Sequence, residues 1–349
     1  MENLKLKDNY TPRGIVFVPT FNCTAMCRHC NNDFSRHDLS KKMEIKRAIE
    51  LLYEAKPLGI NSIQITGGEI TMYPGFMLEL IPHAKKLAMR VNKPPTNCWI
   101  ASDRKKAADF FEGLKKINYT SGFRLSIDPY HNGKIPLSYV AAFIAEYKNF
   151  FKLSTLTIGS SYYDREEIFR LYELLGVELA SLGINDFKIV REKKGIFIEG
   201  QKIKYGIWTP TRPSWQILKD SEVELKALDK TFACLGPVGV GYLWVEPDFR
   251  VKVCSCNGNG FLDDYYIGDL SKESIREVTE RAGKNMIFKI LANYGPAGLR
   301  KALNLKEKIL PEDKTYTFMC ELCNEIVKNP GYLRKIEQNC LPLQYSSRD

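Results

Sequence analysis

The segment that decides the fold is NCTAMCRHC, residues 22–30. It carries three thiols, Cys23, Cys27 and Cys30, with the spacing C-x3-C-x2-C. The apolar run just before it, residues 14–18, is typical of a buried strand. Thiolates so close on one loop can face a single centre, and soft thiolate ligands suit iron–sulfur clusters or zinc. A four-iron cube needs four ligands, so three thiolates would leave one iron open for another molecule.

Outward from this segment, apolar β-rich runs alternate with helical patterns. The predicted strands lie at residues 14–18, 62–66, near 96–97, at 123–127, 153–158 and 186–190. The predicted helices lie at residues 42–56, 76–89, 103–116, 137–150 and 164–182. Six strands separated by helices indicate a parallel sheet with right-handed crossovers. Six βα units are too few for a closed eight-stranded barrel, so we expect a partial barrel.

The informative polar groups follow the predicted strands. Gly67-Gly68-Glu69 follows the second strand, Asn97 the third, and Ser126 and Asp128 end the fourth. Ligands of such sheets bind at the C-terminal ends of the strands. Glycines let a backbone approach its neighbour closely, and a carboxylate accepts hydrogen bonds from an ammonium group. We therefore expect a ligand site at this end of the sheet.

The order of these motifs over residues 12–192 resembles that of the radical S-adenosylmethionine (SAM) superfamily. In that family the three cysteines hold a [4Fe-4S] cluster whose open iron is chelated by SAM. Reductive cleavage of SAM then gives a 5′-deoxyadenosyl radical, which abstracts a substrate hydrogen. The alternatives for the triplet alone are a zinc knuckle or three core cysteines. Structural zinc usually takes four ligands in paired spacing, which favours iron–sulfur here.

The resemblance also implies the residues that bind SAM. His29 would lie against the adenosine, and Gly67, Gly68 and Glu69 would meet the amino group. The further contacts that it implies are Asn97, Ser126, Asp128 and Arg191. Cys98 stands where the family pattern Thr-Asn-Gly has its glycine. Turn chemistry beside Pro129 is the alternative for Asp128 and is favoured for His131, while an exposed strand-end residue is the alternative for Arg191.

The C-terminal part predicts a second metal site. A hairpin is predicted over residues 238–253, and helices near 221–230, at 272–281 and at 285–293. One cysteine before a hairpin, one after it and a distant C-x2-C resemble the Twitch domain, a shortened SPASM domain. That resemblance implies an auxiliary [4Fe-4S] cluster on Cys234, Cys254, Cys320 and Cys323. Cys256 could replace Cys254, and a zinc site of four thiolates is the alternative.

Three cysteines are left without a place in either site, namely Cys98, Cys256 and Cys340. A thiol near the substrate can donate a hydrogen atom to a carbon radical and so complete an epimerisation. Cys256 is the best placed for this catalytic role, because it lies two residues from a ligand that the Twitch resemblance implies. A structural cysteine is the alternative for each of the three.

These patterns together predict an α/β fold with three segments. Residues 1–192 form a partial (β/α)6 radical SAM barrel, residues 193–232 a linker that contacts substrate, and residues 233–349 a Twitch-like α+β auxiliary-cluster domain. Glycines, prolines and two tryptophans break the pattern in the linker.

Composition bounds the location and partners of the chain. It has 349 residues, 44% hydrophobic, and a formal charge of +10. No apolar run approaches the roughly 18–20 residues of a membrane span, and the polar N-terminus is unlike a secretory signal, so we expect a cytoplasmic protein without a membrane partner. The charge favours a solvated basic surface over an anionic partner. A nucleic-acid partner is not supported, since long basic runs and an aromatic–basic signature are missing.

The resemblance implies an enzyme, a radical SAM oxidoreductase or epimerase, reduced by a flavodoxin or ferredoxin. We expect its substrate to be a ribosomally made peptide, which it would epimerise, crosslink or oxidise. The basic charge and the linker rich in Trp, Tyr and Lys favour a peptide. A sugar or aminocyclitol is the alternative substrate. A non-catalytic zinc or iron–sulfur module is the alternative of another class, but such a module has no use for Gly67-Gly68-Glu69 and Ser126 as a SAM site.

Overall fold

The computed structural model describes residues 12–27, 30, 37–161, 164–208, 242–252, 266–311 and 319–345. The side chains of residues 208, 292, 319–321 and 341–345 lie outside this description. The described residues form two compact units. The first takes residues between 17 and 52 and between 62 and 208, and the second takes those before 17, between 53 and 61, and after 241. In these ranges, no helix is both long and apolar enough to span a bilayer.

Strands and helices alternate up to residue 208. In chain order they are β1 Gly14–Phe17, α1 Ile45–Ala55, β2 Ser62–Ile65, α2 Pro74–Lys86, β3 Arg90–Val91, β4 Pro95–Thr96, α3 Arg104–Lys116, β5 Arg124–Ser126, α4 Pro129–Asn132, α5 Leu137–Tyr147, β6 Thr157–Ser161, α6 Arg165–Ser181, β7 Phe187–Val190, β8 Gly195–Ile198 and β9 Gln201–Trp208. Short 3-10 helices lie at Lys56–Leu58, Ile70–Met72, Trp99–Ser102 and Leu153–Thr155.

Parallel pairing dominates the first unit, as the sequence predicts for an α/β fold. Strand β2 pairs with β3 in parallel. In the other sheet, β4, β5, β6 and β9 pair in parallel in that order. Strands β8 and β7 extend this sheet in antiparallel fashion. The α/β fold class is therefore confirmed.

The third predicted strand is divided between the two sheets. Strand β3 pairs with β2, whereas β4 pairs with β5, and the chain changes sheet at residues 92–94. The sequence here is Lys93-Pro94-Pro95, and a proline has no N–H to continue a ladder. The carbonyl of Pro94 instead accepts the N–H of Arg124 at 2.9 Å, which begins the pairing with β5.

The sixth parallel strand is not the one predicted. Residues 186–190 were expected in that role, but β7 lies at the sheet edge, antiparallel to β8. The strand next to β6 is β9, which the sequence prediction placed in the linker after residue 192. A two-residue turn joins β8 to β9, and its Glu199 and Gly200 have φ of 48° and 71°. Such turns favour tight hairpins, so the first part of the predicted linker forms a hairpin of the core sheet.

The fifth strand begins later than expected. Leu153–Thr155 is a 3-10 helix, and β6 starts at Thr157. Behind β5 and β6, aromatic rings fill the space under α3 and α5. The ring centroids of Phe111 and Phe143 are 4.9 Å apart, and those of Phe123 and Phe143 are 5.5 Å apart. Both pairs pack edge to face. Each such pair adds about 0.5–1.5 kcal/mol of stability beyond the burial of its rings. Through Phe123, these pairs hold the start of β5 in place.

The described residues after 241 form antiparallel strands and four helices. These elements are β10 Tyr242–Val245, β11 Arg250–Lys252, β12 Tyr266–Asp269, α7 Ile275–Lys284, α8 Met286–Leu303, α9 Met319–Val327 and α10 Pro330–Tyr345. The order in the sheet is β12-β11-β10-β1. The β10–β11 hairpin turns at Asp248, as predicted, although the rest of the predicted 238–253 segment lies outside the described residues, as does the helix expected at 221–230.

A buried ion pair lies on the β10–β12 sheet. The ammonium of Lys252 is 2.6 Å from a carboxylate oxygen of Glu246, and both side chains are 1% exposed. Tyr266 donates its hydroxyl to the other oxygen of Glu246 at 2.8 Å. Helix α7 begins with a capping box of Ser274 and Glu277, close to the start predicted at residue 272. The predicted helix at 285–293 is the first part of α8, which kinks at Gly295 before Pro296.

Candidate functional site

The loop that leaves β1, residues 18–30, carries the three cysteines and is called the cysteine loop below. Its backbone is bonded to the turn after β2. Gly68 donates its N–H to the carbonyl of Thr20 at 2.9 Å, and Glu69 donates to the carbonyl of Asn22 at 2.7 Å. A Cβ on Gly68 would lie 2.0 Å from the Asn22 oxygen. A glycine is thus required at position 68 for the cysteine loop to approach the turn after β2. The sequence prediction had explained this glycine by the approach of a ligand instead.

Gly67 meets a second requirement at the same place. Its φ is 137°, a conformation that residues with a side chain rarely adopt. A Cβ here would lie 2.6 Å from the carbonyl oxygen of Thr20. Both glycines therefore hold the cysteine loop against the end of β2, which brings two of the predicted motifs together.

The three cysteines are thiols rather than disulfides. Burial raises the pKa of the Cys27 thiol, and the neighbouring Cys30 and Cys23 thiols raise it further. Cys23 and Cys30 pack against the buried cluster of side chains that contains Cys27, so the three side chains lie near one another. Cys30 also donates its N–H to the carbonyl of Cys27 at 2.9 Å. In the part of the chain that the structure describes, no group of three or more His, Cys, Asp or Glu side chains is arranged to hold a single metal ion.

Apolar side chains surround the cysteine loop. Cys27 packs with Ala25 and Ile135, all of them buried. The partly buried neighbours of this cluster are Cys23, Cys30, Trp99, Tyr130 and Tyr139. The rings of Trp99 and Tyr139 meet edge to face at 5.9 Å. Such a setting limits the access of water to Cys27, which strengthens local electrostatic interactions there, while Cys23 and Cys30 remain partly exposed.

Glu69 is buried, 2% exposed, at the centre of a hydrogen-bond network. Its Oε1 accepts from the N–H and hydroxyl of Thr71 at 3.0 and 2.7 Å and from the hydroxyl of Thr96 at 2.8 Å. Its Oε2 accepts the N–H of Asn97 at 2.7 Å. Burial raises the pKa of the Glu69 carboxyl, and these four hydrogen bonds oppose that shift. The carboxylate therefore joins the turn after β2 to the end of β4.

Asn97 links this network to the cysteine loop. Its side-chain amide donates to the Sγ of Cys23 at 3.7 Å, and its Oδ1 accepts the N–H of Trp99 at 2.9 Å. The next residue, Cys98, has φ of 68° and is fully buried. That backbone conformation favours glycine, which explains why the family pattern has glycine at this position.

Asp128 joins the ends of β5 and β6. It is fully buried and accepts hydrogen bonds from the N–H of His131 at 3.0 Å and of Ser161 at 3.2 Å. The Nδ1 of His131 lies 2.9 Å from its Oδ2. Asp128 also caps helix α4, which is the turn chemistry considered from the sequence. Ser126, half-buried, ends β5 at the same side of the sheet.

Not all of the predicted site residues come together. Arg191 is exposed at the end of β7 and forms a bidentate ion pair with Glu166. Its two terminal nitrogens donate to the two carboxylate oxygens at 2.9 and 3.0 Å. His29, Cys234, Cys254 and Cys256 lie outside the described residues. Cys323 is buried in α9, and Cys320 lies in the same helix with its side chain outside the description.

Sequence reasoning missed several groups that build the site. Thr71 and Thr96 hold the Glu69 carboxylate, and Trp99, Tyr130 and Tyr139 cover the cysteine loop. The position of Thr96 directly before Asn97, at a strand end, was a usable signal. The aromatic cover comes from residues 70–110 positions beyond the loop, so a local pattern could not reveal it.

The chain was compared with solved structures. It is 13% identical to Streptococcus suis SuiB bound to precursor peptide SuiA, with a TM-score of 0.42, over 78% of this chain and 65% of that one. It thus spans less than two thirds of SuiB. It is 13% identical to anSMEcpe with bound AdoMet (TM-score 0.44, 96% and 98% covered). It is 12% identical to BtrN in complex with AdoMet and 2-DOIA (TM-score 0.44, 82% and 89% covered).

No curated protein matches the sequence. The family model for the Radical SAM superfamily matches residues 17–188, just under half of the chain. The matched region contains the cysteine loop, the turn after β2 and the ends of β4 and β5. Residues 17–188 of this chain are therefore similar to the Radical SAM superfamily.

Proposed function

We propose that the protein is an enzyme that cleaves SAM reductively and abstracts a hydrogen atom from its substrate. The observation that carries the proposal is the position of the three thiols. They lie on one loop whose backbone is bonded to Gly67-Gly68-Glu69, in a region similar to the Radical SAM superfamily. A [4Fe-4S] cluster on Cys23, Cys27 and Cys30 would leave one iron for SAM.

The side chains around the loop suit such a cluster. Two donors already point at the sulfur of Cys23, the N–H of Ala25 at 3.4 Å and the amide of Asn97 at 3.7 Å. Donors of this kind stabilise thiolate ligands. The apolar cover buries Cys27 and leaves Cys23 and Cys30 partly exposed. When bound, the cluster supplies the electron that cleaves SAM, and a flavodoxin or ferredoxin is the donor that we propose for it.

The proposed SAM site uses the residues at the ends of β2, β4 and β5. Glu69 and the two glycines would receive the amino group, and Asn97, Ser126 and Asp128 would form the adjacent wall, with His29 against the adenosine. All of the described members of this set lie at the C-terminal ends of parallel strands, where ligands of α/β sheets bind. Arg191 is held by Glu166, so a contact with SAM would require this ion pair to open.

We also propose an auxiliary [4Fe-4S] cluster on Cys234, Cys254, Cys320 and Cys323 in a SPASM/Twitch-type domain, with Cys256 as the substitute for Cys254 or as a hydrogen donor. Its support is the spacing of Cys320 and Cys323 on helix α9, because residues three apart lie on the same face of a helix. An auxiliary cluster can accept an electron from a substrate radical and would permit net oxidation.

For the substrate, we propose a ribosomally made peptide. Its support is the basic charge taken together with the Trp, Tyr and Lys content of residues 193–232. The discriminating experiment is turnover with and without candidate peptides. Formation of 5′-deoxyadenosine that depends on a peptide would support this choice, whereas turnover of a sugar or aminocyclitol without any peptide would contradict it.

The proposed reaction is tested by anaerobic reconstitution. Two four-iron clusters correspond to about eight irons per chain. With dithionite and SAM, the wild type should form 5′-deoxyadenosine, and Cys30→Ala should not. Cys340→Ala, which removes a buried thiol outside both proposed clusters, is the control and should keep activity. Uptake of zinc in place of iron, or a loaded protein that never cleaves SAM, would refute the proposal.

A further inference from the structure

We infer that Asn97 raises the reduction potential of the cluster bound to the cysteine loop, by donating a hydrogen bond from its side-chain amide to the Cys23 thiolate. This inference rests on the proposed function, since it concerns the same cluster. Its starting observation is the contact of 3.7 Å between the Nδ2 of Asn97 and the Sγ of Cys23. Asn97 is thereby a positioning residue that acts through a cluster ligand.

The orientation of the amide is fixed by its other partners. An amide can be placed with its oxygen and nitrogen exchanged, so the hydrogen-bond network has to decide. The Oδ1 of Asn97 accepts the N–H of Trp99 at 2.9 Å, and a nitrogen in that position would meet another donor. The Nδ2 must therefore be the atom that faces the sulfur.

The backbone of Asn97 is held equally firmly. Its N–H donates to the buried carboxylate of Glu69 at 2.7 Å. Asn97 is 5% exposed, so little water reaches its amide, while Cys23 itself is partly exposed. On the far side, Cys98 turns the chain with its φ of 68°. The donor is therefore preorganised rather than recruited when the cluster binds.

The effect on the potential follows from charge. Reduction adds an electron to the cluster and increases the negative charge on the cysteine sulfur atoms. An N–H donor at one of these sulfur atoms stabilises the reduced form more than the oxidised form, and so raises the potential. The low exposure strengthens the interaction. The N–H of Ala25, 3.4 Å from the same sulfur, adds to it but cannot be removed by a side-chain substitution.

The experiment compares two variants with a control. Asn97→Asp keeps an oxygen for the N–H of Trp99 but replaces the donor with a negative charge. Asn97→Ala removes the donor without adding charge. Asn61→Asp adds the same charge at an exposed asparagine beside Lys56 and is the matched control. The reconstituted proteins are titrated without SAM, and the potential is followed by the electron paramagnetic resonance signal of the reduced cluster.

We expect a lower midpoint potential in both Asn97 variants, with the larger decrease in Asn97→Asp, and no change in Asn61→Asp. Iron should also pass to a chelator about tenfold more readily, in the lower range for residues that support metal ligands. Loss of all iron from both folded variants, while Asn61→Asp loads fully, would overturn the inference, because Asn97 would then be required to hold the cluster rather than to set its potential. A role of Asn97 in SAM binding alone would leave the potential without SAM unchanged.

The negative outcomes can be told apart. A wild type that takes up no iron would overturn the proposed function and this inference with it. A loaded wild type whose Asn97 variants keep its potential would overturn the inference alone. A decrease of the same size in Asn61→Asp would also overturn it, because the shift would then come from total charge rather than from the contact with Cys23.

Discussion

The substitution Gly68→Ala should detach the cysteine loop from the end of β2. The added Cβ would lie 2.0 Å from the carbonyl oxygen of Asn22 and 2.6 Å from the carbonyl carbon of Phe21. Side-chain Cβ atoms essentially never come closer than 3.0 Å to such neighbours, so the loop must move by roughly 1 Å. All of the nearby atoms belong to the backbone, and no side chain can turn away to make room.

The cost can be worked out from the hydrogen bonds that this movement breaks. The N–H groups of Gly68 and Glu69 donate to Thr20 and Asn22 at 2.9 and 2.7 Å. A buried donor left without a partner costs about 1–3 kcal/mol, so the loss of both predicts a destabilisation of about 2–6 kcal/mol. Part of this cost falls on the local position of the thiols rather than on global unfolding.

The assay is iron content after anaerobic reconstitution, together with urea unfolding of the apoprotein. Gly75→Ala is the control, because its Cβ would meet nothing closer than 3.8 Å in the first turn of α2. That variant should load iron normally and be slightly stabilised, by about 0.5–1 kcal/mol. If Gly68→Ala loads iron and unfolds like the wild type, the two hydrogen bonds do not hold the loop, and the account of the site is wrong.

Further predictions concern single buried groups. Glu69→Gln should lower the free energy of unfolding by about 1–3 kcal/mol, because the amide nitrogen of the new side chain would face the N–H of Asn97. Equal stability of variant and wild type in urea would contradict the hydrogen-bond network around Glu69. Burial raises the pKa of Tyr147 to about 12, so the stability it contributes is present below pH 10 and lost as the pH rises through about 12. Tyr147→Phe should lack this loss in denaturation at several pH values. Lys252→Met removes the ammonium from the buried Oε1 of Glu246 and leaves Tyr266 and Arg250 at Oε2, so it should cost up to about 3–5 kcal/mol. Adding Glu246→Gln should recover part of this cost.

Local patterns were enough for the elements that position the site. The cysteine spacing, the Gly67-Gly68-Glu69 turn and the alternation of strands and helices are all properties of short segments. They led to the α/β fold, and the structure places the described residues of these motifs at the strand ends expected for them. The two glycines also show a limit of local patterns. The sequence identified them as part of the site, but it did not reveal which neighbour requires a glycine there. What they accommodate is a loop 45 residues earlier in the chain, and only the folded backbone shows that contact.

Strand order was less predictable, because it depends on partners far along the chain. Residues 186–190 have the apolar pattern of an inner strand, but only the antiparallel pairing with β8 decides that they form the sheet edge. The next strand, β9, carries lysines at 202 and 204 and therefore looks like a linker, although it pairs with β6 over five residues. The divided third strand was open to prediction, since Pro94 and Pro95 both lack the N–H that a continuous ladder needs.

The site residues owe their arrangement to one another before any ligand is bound. Glu69 holds Asn97 through a backbone hydrogen bond, Asn97 holds the sulfur of Cys23, and the turn around Glu69 holds the backbone of the cysteine loop. These contacts form a closed ring from β2 to β4 to the loop and back. A substitution at any member should therefore disturb the thiols even when the altered side chain does not touch them. Glu69 variants should for this reason lose iron as well as SAM cleavage, whereas a residue that only touched SAM would lose cleavage alone.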